Sequence, residues 1–260
     1  MKGNHLEFDQ TFLDELDARF QAAIEHFWST RNEQQERQVQ AGRADAGTRG
    51  AVTGGKQMAV LESLVVDILK SAGLKYTTVE TSTELEQLSI RTGSKLELPG
   101  YYRPEKRWDM LVLARGQLVA AIEFKSQVGS FGKNINNRAE EAIGSAEDVW
   151  KAYREKRFGN SPEPFLGYIF LLEDTEEVHI TRGNQEPHFE VDPEFKGASY
   201  SKRYELLCRR LILERLYTAA CLALATRSTP TRISQPAYDL TFRRFAAALV
   251  GHVQTFLLSQ

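Results

Sequence analysis

The apolar positions of this chain switch between a helical and a strand period, and the switches predict its elements. Leu6, Phe12, Leu13, Leu16, Phe20, Ile24 and Phe27 fall on one helical stripe and predict a helix over 6–28. The stripe then stops. The Gln-, Arg- and Gly-rich run Ser29–Gln57 reads as a mobile or partner-ordered segment, or as a plain surface loop. Met58, Leu61, Leu64, Val65, Ile68 and Leu69 restore helical spacing, and Gly73 stands where a helix C-cap would sit. Residues 74–100 follow neither period clearly. Trp108–Ala114 and Leu118–Ser126 are β-prone runs around Arg-Gly-Gln, the signal of a hairpin. A helix is predicted over 136–158, an apolar strand over 165–174, a turn-rich polar stretch over 175–203, and two mostly buried helices near 200–226 and 239–258. No internal repeat interrupts this order. Helix, hairpin, helix, strand, then helices predict an α/β fold with a central mixed β-sheet flanked by helices, plus N- and C-terminal helices.

Composition narrows the setting without naming a function. At 260 residues the chain can bury a sizeable core, and 42% hydrophobic with 26% charged residues is ordinary for a globular protein. A formal net charge of -2 marks no overall nucleic-acid binder, although a local basic face needs no basic average. The N-terminal twenty residues are polar and amphipathic with no signal-peptide core, and the low-charge run Leu216–Thr226 falls short of the roughly 20 residues of a membrane helix. The two cysteines, Cys208 and Cys221, would lie about 20 Å apart if one helix carried both, beyond any disulfide. A reducing, cytoplasmic setting is expected. The five histidines show no zinc-ligand spacing.

The chemistry gathers in the hairpin. Glu123 and Lys125 lie two residues apart in a strand and so share a face, about 6.6 Å from each other, while Ile122 and Phe124 share the other. A three-residue turn, Arg115–Gln117, would set Asp109 directly opposite Glu123, with Cβ atoms roughly 5 Å apart. A two-residue turn would put Asp109 on the wrong face. Two carboxylates that close repel unless a cation lies between them. Oxygen ligands without His or Cys suit Mg²⁺, and the Phe124 carbonyl between the two side chains could complete the set. Lys125 is then the positive charge that orients a water or stabilises a charged phosphate transition state. On the residues alone two readings stand: a metal-dependent phosphodiester hydrolase, or an exposed hairpin with an i,i+2 Glu/Lys pair.

Residues 101–153, with "EFKSQVGSFG" and "NNRAEEAIGSA" at their centre, closely resemble the XhoI-type type II restriction endonucleases, members of the PD-(D/E)XK nuclease superfamily. One departure from the superfamily pattern is Trp108, where the generic motif has Pro before the Asp. The resemblance implies a restriction-endonuclease-like core and a single nuclease domain over 1–260. That domain divides into an N-terminal helix and mobile segment (1–56), a catalytic core (57–174), and a DNA-contact region with C-terminal helices (175–260). It implies Mg²⁺-dependent cleavage of double-stranded DNA at the palindrome 5′-CTCGAG-3′ by a homodimer in the bacterial cytoplasm, beside a methyltransferase acting on the same site. Asp109 and Glu123 become metal ligands and Lys125 the catalytic lysine. Glu62 stands where many such nucleases supply a further carboxylate, or is a solvent-facing helix residue. The alternatives are another nuclease of this fold with different specificity, and a non-catalytic DNA-binding protein.

A palindrome calls for two-fold symmetry, one half-site per subunit. Guanine is best read by Arg or Lys and adenine by Asn or Gln in the major groove. Lys133, Asn134, Asn136, Asn137 and Arg138 offer that vocabulary directly after the catalytic strand, and Arg182, Asn184 and Gln185 form a second candidate. Phosphate contacts are expected from Arg103, Lys106 and Arg107, and from Lys196, Lys202 and Arg203. The two C-terminal apolar helices are expected to form the dimer interface, with Leu222 and Leu249 as its markers, unless they simply pack on their own sheet.

Overall fold

Strands apolar on both faces need a layer on each side, and that requirement shapes the chain. The computed structural model describes residues 10–40, 57–73, 89–92 and 95–259. Helix α1 (Gln10–Gln40) and helix α2 (Ala59–Ser71) come first. Strands β1 (Ser89–Thr92), β2 (Glu97–Pro99), β3 (Glu105–Arg107), β4 (Met110–Ala114) and β5 (Gln117–Gln127) follow. Helix α3 (Phe131–Arg154), strand β6 (Phe165–Glu173) and the short helix α4 (Glu176–His179) lead to helix α5 (Tyr200–Leu213). Strands β7 (Ala219–Ala225) and β8 (Ile233–Ser234) and helix α6 (Phe242–Leu258) close the chain.

Six strands form one mixed sheet in the order β1-β4-β5-β6-β7-β8, with β5, β6 and β7 parallel and the other neighbours antiparallel. On one face Met110, Val112, Ile122, Phe124, Ile169 and Cys221 pack against α1, α2 and α6. On the other, Leu111, Leu118, Ala121, Tyr168, Phe170 and Leu222 pack against α3 and α5. The small β2–β3 hairpin leans on this second face through Leu96, Leu98 and the neighbouring Trp108. The α/β fold with a central mixed sheet flanked by helices is therefore as expected. Among the described residues no helix is long and apolar enough to cross a membrane.

Four expectations need correction. Helix α1 does not stop at Trp28 but continues to Gln40; Glu, Gln and Arg are good helix formers even where an apolar stripe has ended. The remaining stretch, 41–56, lies outside the described residues. The predicted helix over 200–226 ends at Leu213, and Ala219–Ala225 is instead a fully buried strand. Alanine and leucine favour helices in isolation, but a central parallel strand reads as an unbroken apolar run and packing overrides propensity. Cys208 and Cys221 accordingly sit on a helix and a strand, both buried and free. Leu222 and Leu249, the expected markers of a dimer surface, are fully buried inside their own subunit and cannot themselves mark one.

The fourth correction concerns the hairpin. Its turn has two residues, Arg115 and Gly116, both with positive φ, and Ala114 pairs with Gln117. Continued unchanged, that register would turn Asp109 to the wrong face. A bulge between Val112 and Leu113 restores the register, because Leu113 pairs with Leu118 while Val112 pairs with Ala120. Val119 is the extra residue, and it joins Ala120 on the same face of the sheet. From there Met110 pairs with Ile122, so the next pair outward is Asp109 and Glu123.

Candidate active site

The corrected register places Asp109, Glu123 and Lys125 on the α3 side of the sheet, at the mouth where β4 begins and β5 runs on toward α3. Phe124, between the two β5 side chains, donates its backbone N–H to Asp109 Oδ2 at 2.8 Å. The N–H and C=O of one strand residue point to the same side, so the Phe124 carbonyl faces the same opening. Lys125 Nζ lies 3.5 Å from Asp109 Oδ2 and pairs with Glu123 Oε2. Glu123 is buried, its side chain 3% exposed, whereas Asp109 is 37% and Lys125 26% exposed. The site is anchored at one carboxylate and open at the other.

Two further groups complete it. Glu62, on α2, has its carboxyl pushed up to about 7, first by burial and then by the negative charge of Asp109. Glu62 is therefore half-buried and feels the charge of Asp109, which a wholly solvent-facing helix residue would not. Lys106, expected only as a phosphate contact, pairs with Glu123 Oε1 and sits 4.0 Å from the centre of the Trp108 ring. Burial and the charge of Lys125 lower its ammonium to about 7. Sequence reading missed this role because β3 reaches the site through a separate hairpin. Its one signal was the alternation of Lys106 with Trp108.

Among the described residues no three His, Cys, Asp or Glu side chains stand close enough to form a ready metal cage. The two hairpin carboxylates are countered by lysines instead. Even so, the donors fit a hard divalent cation: they are all oxygens, and the carboxylates of Asp109 and Glu123 converge on one point, both reaching Lys125 Nζ. Asp109, Glu123 and the Phe124 carbonyl would hold it, with Glu62 as the further carboxylate.

The candidate DNA residues divide into groups. Arg103 donates through Nε to Asp148 Oδ2 at 2.6 Å, and Arg107 is 3.7 Å from Glu97. Lys133, Asn134, Asn136, Asn137 and Arg138 occupy the first two turns of α3. Lys133, Asn136 and Asn137 are exposed, Asn134 donates to the Ser130 carbonyl, and half-buried Arg138 pairs with Glu141. Arg182 stacks over Tyr200, while Arg203 donates to Asn184 Oδ1 at 2.8 Å. The two base-reading candidates meet, since Asn136, Asn184 and Arg203 line one cavity of about 500 Å³ with Ile143, Phe195 and Leu207. Lys196 and Lys202 pair with Glu190 and Glu205, so the basic excess of this region is partly spent within the fold.

Asp148 was not foreseen. Its 2%-exposed carboxylate accepts from the backbone N–H of Tyr101 and of Tyr102, at 2.6 and 2.8 Å, besides Arg103. It thereby fixes the loop that delivers β3 and Lys106.

The family model described as restriction endonuclease XhoI matches residues 37–235. The type II restriction enzyme BstVI of Geobacillus stearothermophilus is 47% identical over 224 residues, 83% of this chain and 95% of that protein. The type II restriction enzyme XhoI of Xanthomonas vasicola is 43% identical over 203 residues, covering 78% of this chain and 77% of that one. The type II restriction enzyme AbrI of Azospirillum brasilense is 42% identical over 178 residues, 68% of this chain and 75% of its own. No solved structure matches the chain.

Proposed function

Because the chain belongs to the XhoI restriction endonuclease family, and is a type II restriction enzyme acting on double-stranded DNA, we propose that it cuts both strands of 5′-CTCGAG-3′ with Mg²⁺. The observation that carries the chemistry is the convergence of Asp109, Glu123 and Lys125 on one sheet face, with Glu62 inside the field of Asp109. When bound by Asp109, Glu123 and the Phe124 carbonyl, Mg²⁺ supplies Lewis-acid polarisation of the phosphate and of an attacking water.

The chain's own groups do the rest. Lys125, tethered between Asp109 and Glu123, holds a positive charge where negative charge builds on the phosphate. The Phe124 N–H keeps the Asp109 carboxylate turned into the opening. Buried Glu123 is fixed by the strands on both sides of β5, which keeps the ligand geometry within the tolerance catalysis demands. Lys133, Asn134, Asn136, Asn137 and Arg138 on α3, with Arg182 and Asn184, are the proposed base-reading residues; Arg103, Arg107, Lys202 and Arg203 are the proposed phosphate donors.

A palindromic target with one active site per chain supports a homodimer, each copy cutting one strand. A restriction role in the bacterial cytoplasm, beside a methyltransferase protecting the same sequence, belongs to this reading, as does a single nuclease domain over 1–260. Asp109→Ala and Glu123→Ala test it: each should abolish cleavage while specific DNA binding stays measurable, since removing a carboxylate also removes repulsion against phosphate. Wild-type turnover in either variant would overturn the assignment.

A further inference from the structure

Both oxygens of the most buried carboxylate in the site are covered by ammonium groups of the same chain. Lys125 covers Oε2 and Lys106 covers Oε1. The two lysines are not equivalent. Lys125 stands two residues from Glu123 on the same central strand, and it also reaches Asp109, so it belongs to any arrangement of the hairpin. Lys106 comes from elsewhere: a three-residue strand in a two-stranded sheet, separate from the central one. Its side chain is 12% exposed, its ammonium donates to the Arg107 carbonyl at 3.0 Å, and it rests on the face of Trp108. Those contacts give the ammonium a second place to rest when it leaves Glu123.

An ammonium and a divalent cation on the same carboxylate oxygen repel each other, so each weakens the other's hold on it. We propose that Lys106 is a built-in stand-in for the cation: it holds Glu123 Oε1 in the metal-free enzyme, yields that oxygen when a divalent cation enters, and then turns its charge toward the phosphate of bound DNA. This rests on the metal reading of Asp109 and Glu123 given above. The exchange keeps a buried carboxylate paired at every stage, which matters because an uncompensated charge in such a place is costly. It also makes Lys106 a competitor for the cation. The apparent affinity of the metal is then reduced by the fraction of molecules in which Lys106 occupies the oxygen.

Mn²⁺ titration of the DNA-free protein, read by electron paramagnetic resonance, tests the exchange without any cleavage assay. Lys106→Gln retains a polar tip for Glu123 but no charge, and Lys106→Met removes both; circular dichroism checks that each is folded. At least one folded variant should bind Mn²⁺ about tenfold or more tightly than wild type. Arg107→Met, which removes one exposed positive charge from the same strand, should change the affinity by less than about threefold, because exposed charges are screened. Lys106→Gln should also cleave more slowly than wild type at saturating Mg²⁺. Equal Mn²⁺ affinity in wild type and both Lys106 variants, or an equal gain in Arg107→Met, would overturn the exchange. Wild-type cleavage by Lys106→Gln would overturn the turn toward phosphate. Glu123→Gln separates this from the underlying reading: if it binds Mn²⁺ as wild type does, the metal assignment itself fails, whereas its loss alongside unchanged Lys106 variants removes only the role of Lys106.

Discussion

Asp148→Asn is the substitution whose cost can be worked most fully from the structure. Asp148 Oδ1 accepts the N–H groups of Tyr101 and Tyr102, and Oδ2 accepts Arg103 Nε. Asparagine can keep its oxygen toward the two N–H groups, but its amide nitrogen then faces another donor on Arg103. One charge-assisted bond is lost, at about 1.5–3 kcal/mol, and two become neutral and roughly half as strong. Arg103 is 44% exposed and regains water, which discounts its share. The net expectation is about 2–3 kcal/mol, and about 3–5 kcal/mol for Asp148→Ala, which orphans all three donors. At about 2–4 °C per kcal/mol for a chain of this size, Asp148→Asn should melt roughly 4–12 °C below wild type.

Hydrogen exchange should localise the damage, with the Tyr101 and Tyr102 amides losing protection before those of β5. The pH dependence is also fixed. Burial alone would raise the Asp148 carboxyl, but the bonds from Tyr102, Arg103 and Tyr101 hold it below its ordinary value of 3.8. Its stabilisation is therefore full above that value and disappears only as pH falls through the lower folded one. A melting point within 1 °C of wild type, with the Tyr101 and Tyr102 amides still protected, would refute the reasoning.

Other expectations follow from single observations. The Glu62 carboxyl, raised from 4.5 to about 7, binds a proton in the folded chain where the unfolded chain has released it, so its contribution to stability falls as pH rises through that window. Glu62→Gln should raise the melting point of the metal-free protein at pH 8 and leave it nearly unchanged at pH 4.5; parallel pH profiles would refute this. Leu222→Lys and Leu249→Lys each place a charge at a fully buried position and should yield unfolded or aggregated protein; soluble, folded monomers in light scattering would restore the C-terminal interface. Arg138→Ala should cost about 1–3 kcal/mol of discrimination at one guanine. An equal loss of affinity for specific and random duplex would assign Arg138 to phosphate.

What could be read in the sequence tracks how local each signal was. Glu123 and Lys125 share a face by strand period alone. The partnership of Asp109 with Glu123 was foreseen, but through a three-residue turn; the chain reaches the same pairing with a two-residue turn and a bulge at Val119. No periodicity announces that bulge, because Leu118 to Ile122 is apolar at every position and both faces of the strand are covered. The misreading of 219–225 has the same origin, since a strand buried on both sides loses the alternation that would separate it from a helix. Lys106 and Asp148 were invisible as site and support because their partners lie 17 residues or more away, across a loop whose path no local pattern encodes.

The central claim is that this hairpin cuts DNA at one palindrome. Digestion of a genome-length DNA by the purified protein with Mg²⁺, followed by sequencing of every end, tests it most directly. The account predicts that both strands are cut, that every end maps within 5′-CTCGAG-3′, and that Asp109→Ala produces no ends at all. Ends scattered over unrelated sequences, ends confined to a different site, or undiminished cutting by Asp109→Ala would contradict it.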